Sequence, residues 1–351
     1  MQKNINAFFI EVNHYKNILT YNLFYIEMNG GIGKIEMLNK TNILALVGGG
    51  VNPCFCPKKI IIWDDHQGKI ISMIRLNKNI LNVRLTKEKI FGIIEDKIYI
   101  INLKTLETKN ILETFNNPTG IIGISSEEKD KLIIAYPMTN QGYVNIRNCI
   151  NKEKSKNSKI INAHESKLSS ISINKEGTLL ATASDKGTLI RLFSIQNGDN
   201  ITTFRRGTTN VNMNCITFSP NNIFVGCTSD GGTIHIFSIV SITKKLNEKN
   251  NKNEDKKHET VNGENSDEEP KNQKSFLGKI GGFFKINSEY IEQERSFVKF
   301  RIPDEKSVLG FGIDNTITVI TMNGKYYKAA YSPKTGGECT KIEEKNFLVD
   351  L

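Results

Sequence analysis

Long apolar stretches are missing from this chain of 351 residues. No run approaches the roughly 18 consecutive apolar residues that a membrane-spanning helix needs, so we expect no transmembrane helix. The apolar patch near the N-terminus is short and is followed at once by Glu11, which argues against a secretory signal peptide. Six cysteines are scattered through the sequence without the spacing of a disulfide framework. These features predict a cytoplasmic, reducing location.

Motifs for metal binding, nucleotide binding and catalysis are also scarce. Cys54 and Cys56 form a CxC pair, but neither a second pair nor a histidine cluster follows, so we predict no metal site. The glycines at 48–50 lack the Gly-Lys-Ser/Thr ending of a phosphate loop. No nucleophile–base pair or carboxylate pair stands in a catalytic context. We therefore predict a protein that is not an enzyme and needs no cofactor.

Acidic residues are fewer than basic residues in this sequence. Lys and Arg number 47 against 37 Asp and Glu, which gives a net charge of +10. Such a surplus suggests a polyanionic partner, either a phosphate-bearing membrane or a nucleic acid. Paired aromatic and basic clusters are rare, which disfavours an RNA-binding protein, so we predict no nucleic-acid partner.

Most of the sequence has the pattern of short β-strands. Segments of four to eight residues rich in Ile, Val, Phe and Tyr are bounded by Gly, Asn, Asp or Lys turns, as in 59–65 and 233–239. Residues 168–195 also repeat as 213–239, with Ser184 matching Ser229, Thr188 matching Thr233 and Phe193 matching Phe237. The offset of 44 to 45 residues is the period of a WD40 blade. The sequence therefore predicts an all-β fold.

One segment breaks this pattern. Residues 241–295 are polar, carry equal numbers of acidic and basic residues, and have almost no β signal. Without them, the rest of the chain divides into seven units of about 42 residues. We predict that residues 1–351 form a single seven-bladed WD40-type β-propeller, with 241–295 as a flexible, membrane-facing insertion in blade 6.

Two adjacent arginines lie between the two clearest repeats, in the sequence FRRG at 204–207. Neighbouring residues of an extended segment point to opposite sides, so Arg205 and Arg206 can reach two neighbouring blades. A guanidinium donates a planar fork of hydrogen bonds that matches phosphate oxygens. Hydroxyl-rich hairpins, TASDKGT at 182–188 and CTSDGGT at 227–233, flank the pair. The alternative is two surface arginines paired with carboxylates, next to ordinary WD40 turns.

These residues together resemble the PROPPIN family of phosphoinositide-binding seven-bladed propellers, also called the WIPI proteins. The resemblance rests on residues 163–207 with their FRRG, on CTSDGGTIHIF at 227–237, and on 45–65. The Lys- and Asn-rich composition resembles apicomplexan members of the autophagy branch. The family implies two headgroup sites on the propeller rim, for phosphatidylinositol 3-phosphate and phosphatidylinositol 3,5-bisphosphate.

Carried over by position, the first lipid site takes Arg205 with His164, Ser184, Lys186 and Thr188. The second takes Arg206 with Thr228, Ser229 and Thr233. The second site departs from the family, where a basic residue is usual at the position of Gly231 and a His or another polar ligand near Thr209. The other histidines, His235 included, are predicted to be surface or blade-packing residues.

Within the insertion, residues 271–286 carry four Lys and no acid. Their apolar residues fall on one face of a helix, and we predict that this face enters a bilayer: Phe276, Leu277, Ile280, Phe283 and Phe284. Three glycines make the segment a poor helix in water, so it would order only on contact with the membrane. The alternatives are packing on the propeller or binding in a protein groove.

The resemblance implies a monomeric phosphoinositide effector that recruits protein partners of the autophagy type, which dock on blades away from the lipid. Its location would be cytoplasmic and peripheral to phosphoinositide-bearing membranes: the preautophagosomal structure, the endosome or vacuole, or the outer membrane of the apicoplast. Its role would be autophagosome formation, vesicle traffic or apicoplast maintenance. The main alternative is a WD40 interaction scaffold that does not bind lipid.

Overall fold

The protein is described by a computed structural model, which covers residues 5–10, 23–128, 131–150, 158–240, 273–274, 293–303 and 306–346. Every element with described bounds is a β-strand, which confirms the all-β prediction. The chain divides into two compact units, residues 1–171 and 172–351.

The first unit begins with a two-stranded antiparallel sheet of β1 (Ile5–Ile10) and β2 (Leu23–Met28). Three four-stranded antiparallel sheets follow, each a meander of consecutive strands. The first sheet contains β3 (Ile32–Met37), β4 (Ile43–Gly48), β5 (Lys59–Asp64) and β6 (Lys69–Arg75). The second contains β7 (Asn82–Leu85), β8 (Lys89–Ile93), β9 (Lys97–Asn102) and β10 (Thr108–Glu113). The third contains β11 (Gly123–Ile124), β12 (Ile133–Pro137), β13 (Tyr143–Asn148) and β14 (Lys159–Asn162).

The fourth sheet begins with β15 (Leu168–Ile173), which crosses the boundary between the units, and lies otherwise in the second unit. It continues with β16 (Leu179–Ser184), β17 (Leu189–Ser194) and β18 (Asn200–Arg205). Two short strands extend it beyond β18, in the order β23 (Glu294–Arg295) and then β22 (Gln273–Lys274).

The fifth sheet contains β19 (Met213–Phe218), β20 (Phe224–Ser229), β21 (Thr233–Ser238), β24 (Val298–Arg301) and β28 (Gly337–Glu338). The sixth contains β25 (Ser307–Phe311), β26 (Thr316–Thr321), β27 (Lys325–Ala330) and β29 (Thr340–Asn346).

Apolar side chains fill the space between neighbouring sheets inside each unit. One cluster joins the first and second sheets and another joins the second and third. In the second unit, the fourth and fifth sheets share a cluster in which the Phe204 and Phe237 rings stack with centroids 4.8 Å apart. The second strand of a sheet is buried along its whole length in β12, β16 and β20. For β20, apolar clusters shared with the fourth and with the sixth sheet cover both faces.

The number of blades differs from the prediction. The described residues form six sheets of at least four strands, whereas seven blades were predicted. The prediction divided the chain length evenly and so gave four strands to every unit, but before β3 only β1 and β2 are described. The predicted insertion lies between β21 and β24, two strands of the fifth sheet.

The predicted insertion is described only in part. Residues 273–274 and 293–295 within it belong to or adjoin β22 and β23, although the sequence showed almost no β signal there. The five apolar residues predicted to enter a membrane lie outside the described residues.

Candidate functional site at the Arg205–Arg206 pair

Two hairpin turns with the same geometry follow β16 and β20. In the first, the Gly187 amide donates to the Ser184 carbonyl (3.0 Å), and in the second, the Gly232 amide donates to the Ser229 carbonyl (3.4 Å). Gly187 and Gly232 have φ angles of +61° and +68°, a conformation that favours glycine. The sequence repeat therefore corresponds to a repeated turn, and its glycines serve the geometry of that turn.

Arg205 is the last residue of β18 and is half-buried. Its Nε donates to Oε1 of Gln293 at 2.7 Å, and one terminal nitrogen donates to the Gly207 carbonyl at 3.4 Å. Gln293 immediately precedes β23, which pairs in parallel with the end of β18. The returning end of the insertion thus contacts the first predicted phosphate ligand.

Arg206 turns towards the two hairpins. Its backbone amide donates to the Thr188 carbonyl (2.9 Å), and its Nε donates to the Gly187 carbonyl (2.9 Å). A terminal nitrogen donates to the Thr209 carbonyl. Burial lowers the pKa of Arg206 from its ordinary value, and the Asp230 carboxylate acts in the opposite direction. The guanidinium is therefore oriented by backbone carbonyls rather than by a paired carboxylate.

Gly231 faces this second arginine. A Cβ added at Gly231 would lie 3.8 Å from a terminal nitrogen of Arg206, 3.6 Å from Ser229 Oγ and 3.2 Å from Val211 Cγ1. Gly231 is exposed. A side chain at this position would therefore extend beside the Arg206 guanidinium, with only the Val211 methyl group having to shift.

The hydroxyls of the second hairpin have different roles. Thr228 donates to the Ser307 carbonyl at 2.7 Å and is almost completely buried. Ser229 Oγ is also buried, and no hydrogen-bond partner for it is found among the described residues. Thr233 begins β21 and is half-buried. An unsatisfied buried hydroxyl costs about 1–3 kcal/mol, and a ligand could bond to it only after a shift of the side chains that cover it.

Three of the other ligands predicted for the first site belong to the first hairpin. Ser184 is buried at the end of β16, Lys186 is exposed in the turn, and Thr188 is half-buried. His164 belongs to the first unit, where its backbone amide donates to the Gly142 carbonyl (3.1 Å) and its side chain is buried.

His235 is a buried residue that packs within its sheet, one of the two roles predicted for it. Its Nδ1 lies 3.2 Å from the Ser296 hydroxyl, and its ring centroid is 6.3 Å from that of Phe237. Burial lowers the pKa of His235 to about 3, and the positive charges of Arg206 and Lys299 act in the same direction. The imidazole is therefore neutral at physiological pH.

The sequence profile of the PROPPIN family matches residues 44–348, which is most of the chain and contains both hairpins and the arginine pair. This chain belongs to the PROPPIN family. Its similarity to autophagy-related protein 18e of Arabidopsis thaliana is 28% identity over 324 residues, covering 91% of this PROPPIN and 77% of the plant protein.

Solved structures show the same fold. Kluyveromyces lactis Hsv2 with a complete loop 6CD is 18% identical, with a TM-score of 0.69, and the match covers 97% of this PROPPIN and 99% of Hsv2. KlAtg21 in complex with the coiled coil of AgAtg16 is 19% identical, with a TM-score of 0.65, and the match covers 89% and 84% of the two chains. The fold of this PROPPIN is thus a β-propeller.

The described residues contain no group of three or more His, Cys, Asp or Glu side chains arranged to hold a metal ion. Within the same residues, no helix has the length and apolar character to cross a membrane.

Gln293 was missed by sequence reasoning. It lies 88 positions from Arg205 in a polar segment, and only the pairing of β23 with β18 brings the two residues together.

Proposed function

We propose that this PROPPIN is a non-catalytic phosphoinositide effector that binds phosphatidylinositol 3-phosphate and phosphatidylinositol 3,5-bisphosphate through two sites around Arg205 and Arg206. The observation that carries the proposal is the second arginine. Its guanidinium is fixed by two backbone carbonyls next to a buried serine hydroxyl without a described partner. A planar donor group held in place beside an unsatisfied hydroxyl suits the oxygens of a phosphate group.

In the first site, a headgroup phosphate would bind the Arg205 guanidinium with the exposed ammonium of Lys186, and with Ser184 and Thr188 of the same hairpin. Because Gln293 accepts a hydrogen bond from Arg205 Nε, the phosphate would have to replace Gln293 or share the arginine with it. An ionised phosphate oxygen is the stronger acceptor, because it carries a full negative charge and its geometry matches the fork of donors of the guanidinium.

In the second site, Arg206 and the Ser229 hydroxyl would contact the phosphate, and Thr233 would lie at the edge. The Thr228 hydroxyl already donates to Ser307, so we assign it a role in holding β20 against the sixth sheet and in shaping the site. The site has no cation at Gly231, and we expect it to bind more weakly than the first site.

Membrane attachment would combine the two headgroup sites with the apolar face in 271–286. Sites joined on one molecule reinforce each other through effective concentration, so modest individual affinities suffice for recruitment. By analogy with the KlAtg21–AgAtg16 complex, we propose that the bound propeller recruits partner proteins to a membrane during autophagosome formation, vesicle traffic or apicoplast maintenance. The alternative is a protein-interaction scaffold with the same propeller fold that does not bind lipid. In that protein the two arginines would only pack on the surface.

Liposome flotation distinguishes the two functions. We expect the purified protein to float with liposomes that contain phosphatidylinositol 3-phosphate and to stay at the bottom without that lipid. Arg205→Ala and Arg206→Ala should each weaken binding by roughly 10- to 100-fold, the value of about 1.5–3 kcal/mol for a hydrogen bond to a charged group. Arg75→Ala removes an exposed arginine from the first unit and is the matched control. Equal flotation of all four proteins, or of none, would favour the scaffold.

A further inference from the structure

A third arginine lies beside the first proposed lipid site. Arg295 is the second residue of β23, and the parallel pairing of β23 with β18 places it opposite Arg205. Paired residues of neighbouring strands project from the same face of a sheet, so the two side chains emerge side by side. Arg295 is also the last residue of the predicted insertion, a segment to which the sequence assigned no headgroup ligand.

Contacts on this face show that its side chains reach one another across the two strands. Gln293 lies two positions before Arg295 and so projects from the same face, and its Oε1 accepts the hydrogen bond from Arg205 Nε at 2.7 Å. Glu294 is paired instead with Phe204, whose ring packs in the apolar cluster between the fourth and fifth sheets. The register therefore places Glu294 on the face away from the two arginines.

Arg295 is fixed through its backbone but has no acidic partner in the described part of the chain. β23 lies between β18 and β22 and pairs with both, so the backbone of Arg295 is held on its two edges. The residue is half-buried, and its Nε is covered and finds no hydrogen-bond partner among the described residues. None of the carboxylates described forms an ion pair with it. A partly desolvated guanidinium beside a second one is unfavourable, and an anion between the two would remove their repulsion.

We propose that Arg295 binds the 3-phosphate of the lipid headgroup together with Arg205, so that the first site holds this phosphate between two guanidiniums. The inference rests on the proposed function and adds a ligand to it. A phosphate monoester carries a charge of about −1.5 to −2 at pH 7, which two guanidiniums balance. The phosphodiester that joins the headgroup to the lipid carries a single charge, so the pair favours a phosphorylated inositol over phosphatidylinositol. The phosphate would meet the terminal nitrogens of Arg295, because its Nε is covered.

Soluble dibutanoyl phosphatidylinositol 3-phosphate, titrated into the full chain by isothermal calorimetry, tests the pair without a membrane. Every variant carries Arg206→Ala, which removes the second site. In this background we expect Arg295→Ala to weaken binding by about tenfold, near the lower end of the range for a hydrogen bond to a charged group. Arg295→Lys keeps the charge but loses the planar fork, and should weaken binding by about threefold. Arg75→Ala removes an exposed arginine of β6 and should bind like the Arg206→Ala parent.

The direction of the change distinguishes a ligand from a purely structural residue. If Arg295 only held β23 against β18, Arg295→Ala would release Gln293 from Arg205, and the lipid would bind as tightly as before or more tightly. Thermal unfolding followed by circular dichroism verifies that each variant is folded. The inference is wrong if Arg295→Ala binds the lipid as tightly as the Arg75→Ala control or more tightly. It is also wrong if Arg295→Lys binds like the parent, because a point charge would then replace the guanidinium fully.

A failure of the proposed function gives a different result. If the Arg206→Ala parent does not bind the soluble lipid, or if adding Arg205→Ala to it leaves binding unchanged, the first site is not a lipid site and the role of Arg295 is refuted with it. If Arg205→Ala weakens binding whereas Arg295→Ala does not, the phosphoinositide function stands and Arg205 binds the phosphate without Arg295.

Discussion

Acidification should destabilise the second unit through His235, a buried histidine that is under the influence of two positive charges. It pairs with Cys227 on one side and with Lys299 on the other, and the Arg206 charge acts on it as well. Burial, followed by these two charges, lowers the pKa of His235 from 6.5 to about 3. The folded state therefore holds a neutral imidazole over a pH range in which the unfolded chain is protonated.

Proton linkage gives the sign and the size of this change in the free energy of unfolding. Above pH 6.5 both states are neutral and the group has no effect on stability. As the pH falls from 6.5 towards 3, the unfolded chain takes up the proton first and stability is progressively lost. At pH 5 the difference is about 1.5 pH units at 1.36 kcal/mol each, so the free energy of unfolding should fall by about 2 kcal/mol between pH 7 and pH 5.

Urea unfolding at the two pH values, followed by circular dichroism, measures this loss. His235→Asn keeps a polar group near the Ser296 hydroxyl but does not titrate, so its pH-dependent loss should be smaller than that of the wild type by about 2 kcal/mol. His66→Gln removes an exposed histidine and should behave like the wild type. If His235→Asn and wild type lose the same stability between pH 7 and pH 5, the buried neutral imidazole is not the cause.

Three further predictions concern the arginine pair. Gln293→Ala frees Arg205 of a neutral acceptor and should tighten binding to liposomes with phosphatidylinositol 3-phosphate by about 2- to 10-fold, measured by titration; unchanged affinity would mean that this contact does not compete with the lipid. Gly231→Lys adds an exposed cation to the second site and should improve binding of phosphatidylinositol 3,5-bisphosphate by about threefold, with no change for uncharged liposomes. Gly187→Ala places a Cβ 2.1 Å from a backbone oxygen at φ +61°, whereas Gly68→Ala has the same φ and open space. Thermal unfolding should therefore show Gly187→Ala to be the less stable by about 1–3 kcal/mol, and equal stabilities would contradict the close contact.

The sequence predicts those parts of the site that depend on local geometry. The two turns recur because each needs a glycine with a positive φ angle after a buried strand, and the offset between Ser184 and Ser229 reports that repeat directly. The side chains of Arg205 and Arg206 point in different directions because the side chains of an extended chain alternate between its two sides. The family resemblance named the arginines as ligands, which the geometry alone does not do.

Other parts depend on contacts between distant segments, and periodicity carries no information on those. The contact of Gln293 with Arg205 needs β23, a strand of two residues in a polar segment. The Thr228 hydroxyl donates its hydrogen bond to the Ser307 carbonyl, which lies in another sheet and 79 positions away in the sequence. The blade count was wrong because chain length does not show how many strands the N-terminal residues supply.

The strand β23 also determines when the fourth sheet is completed during synthesis. The four sequential strands of this sheet, β15 to β18, are present once Arg205 has been made. Gln293, which immediately precedes β23, follows 88 positions later. At roughly 5–20 residues per second, a ribosome needs about 4–18 seconds to reach it. During that interval the edge of β18 is open to neighbouring nascent chains, so crowding of ribosomes on one message should favour mispairing at this edge above the other strands of the sheet.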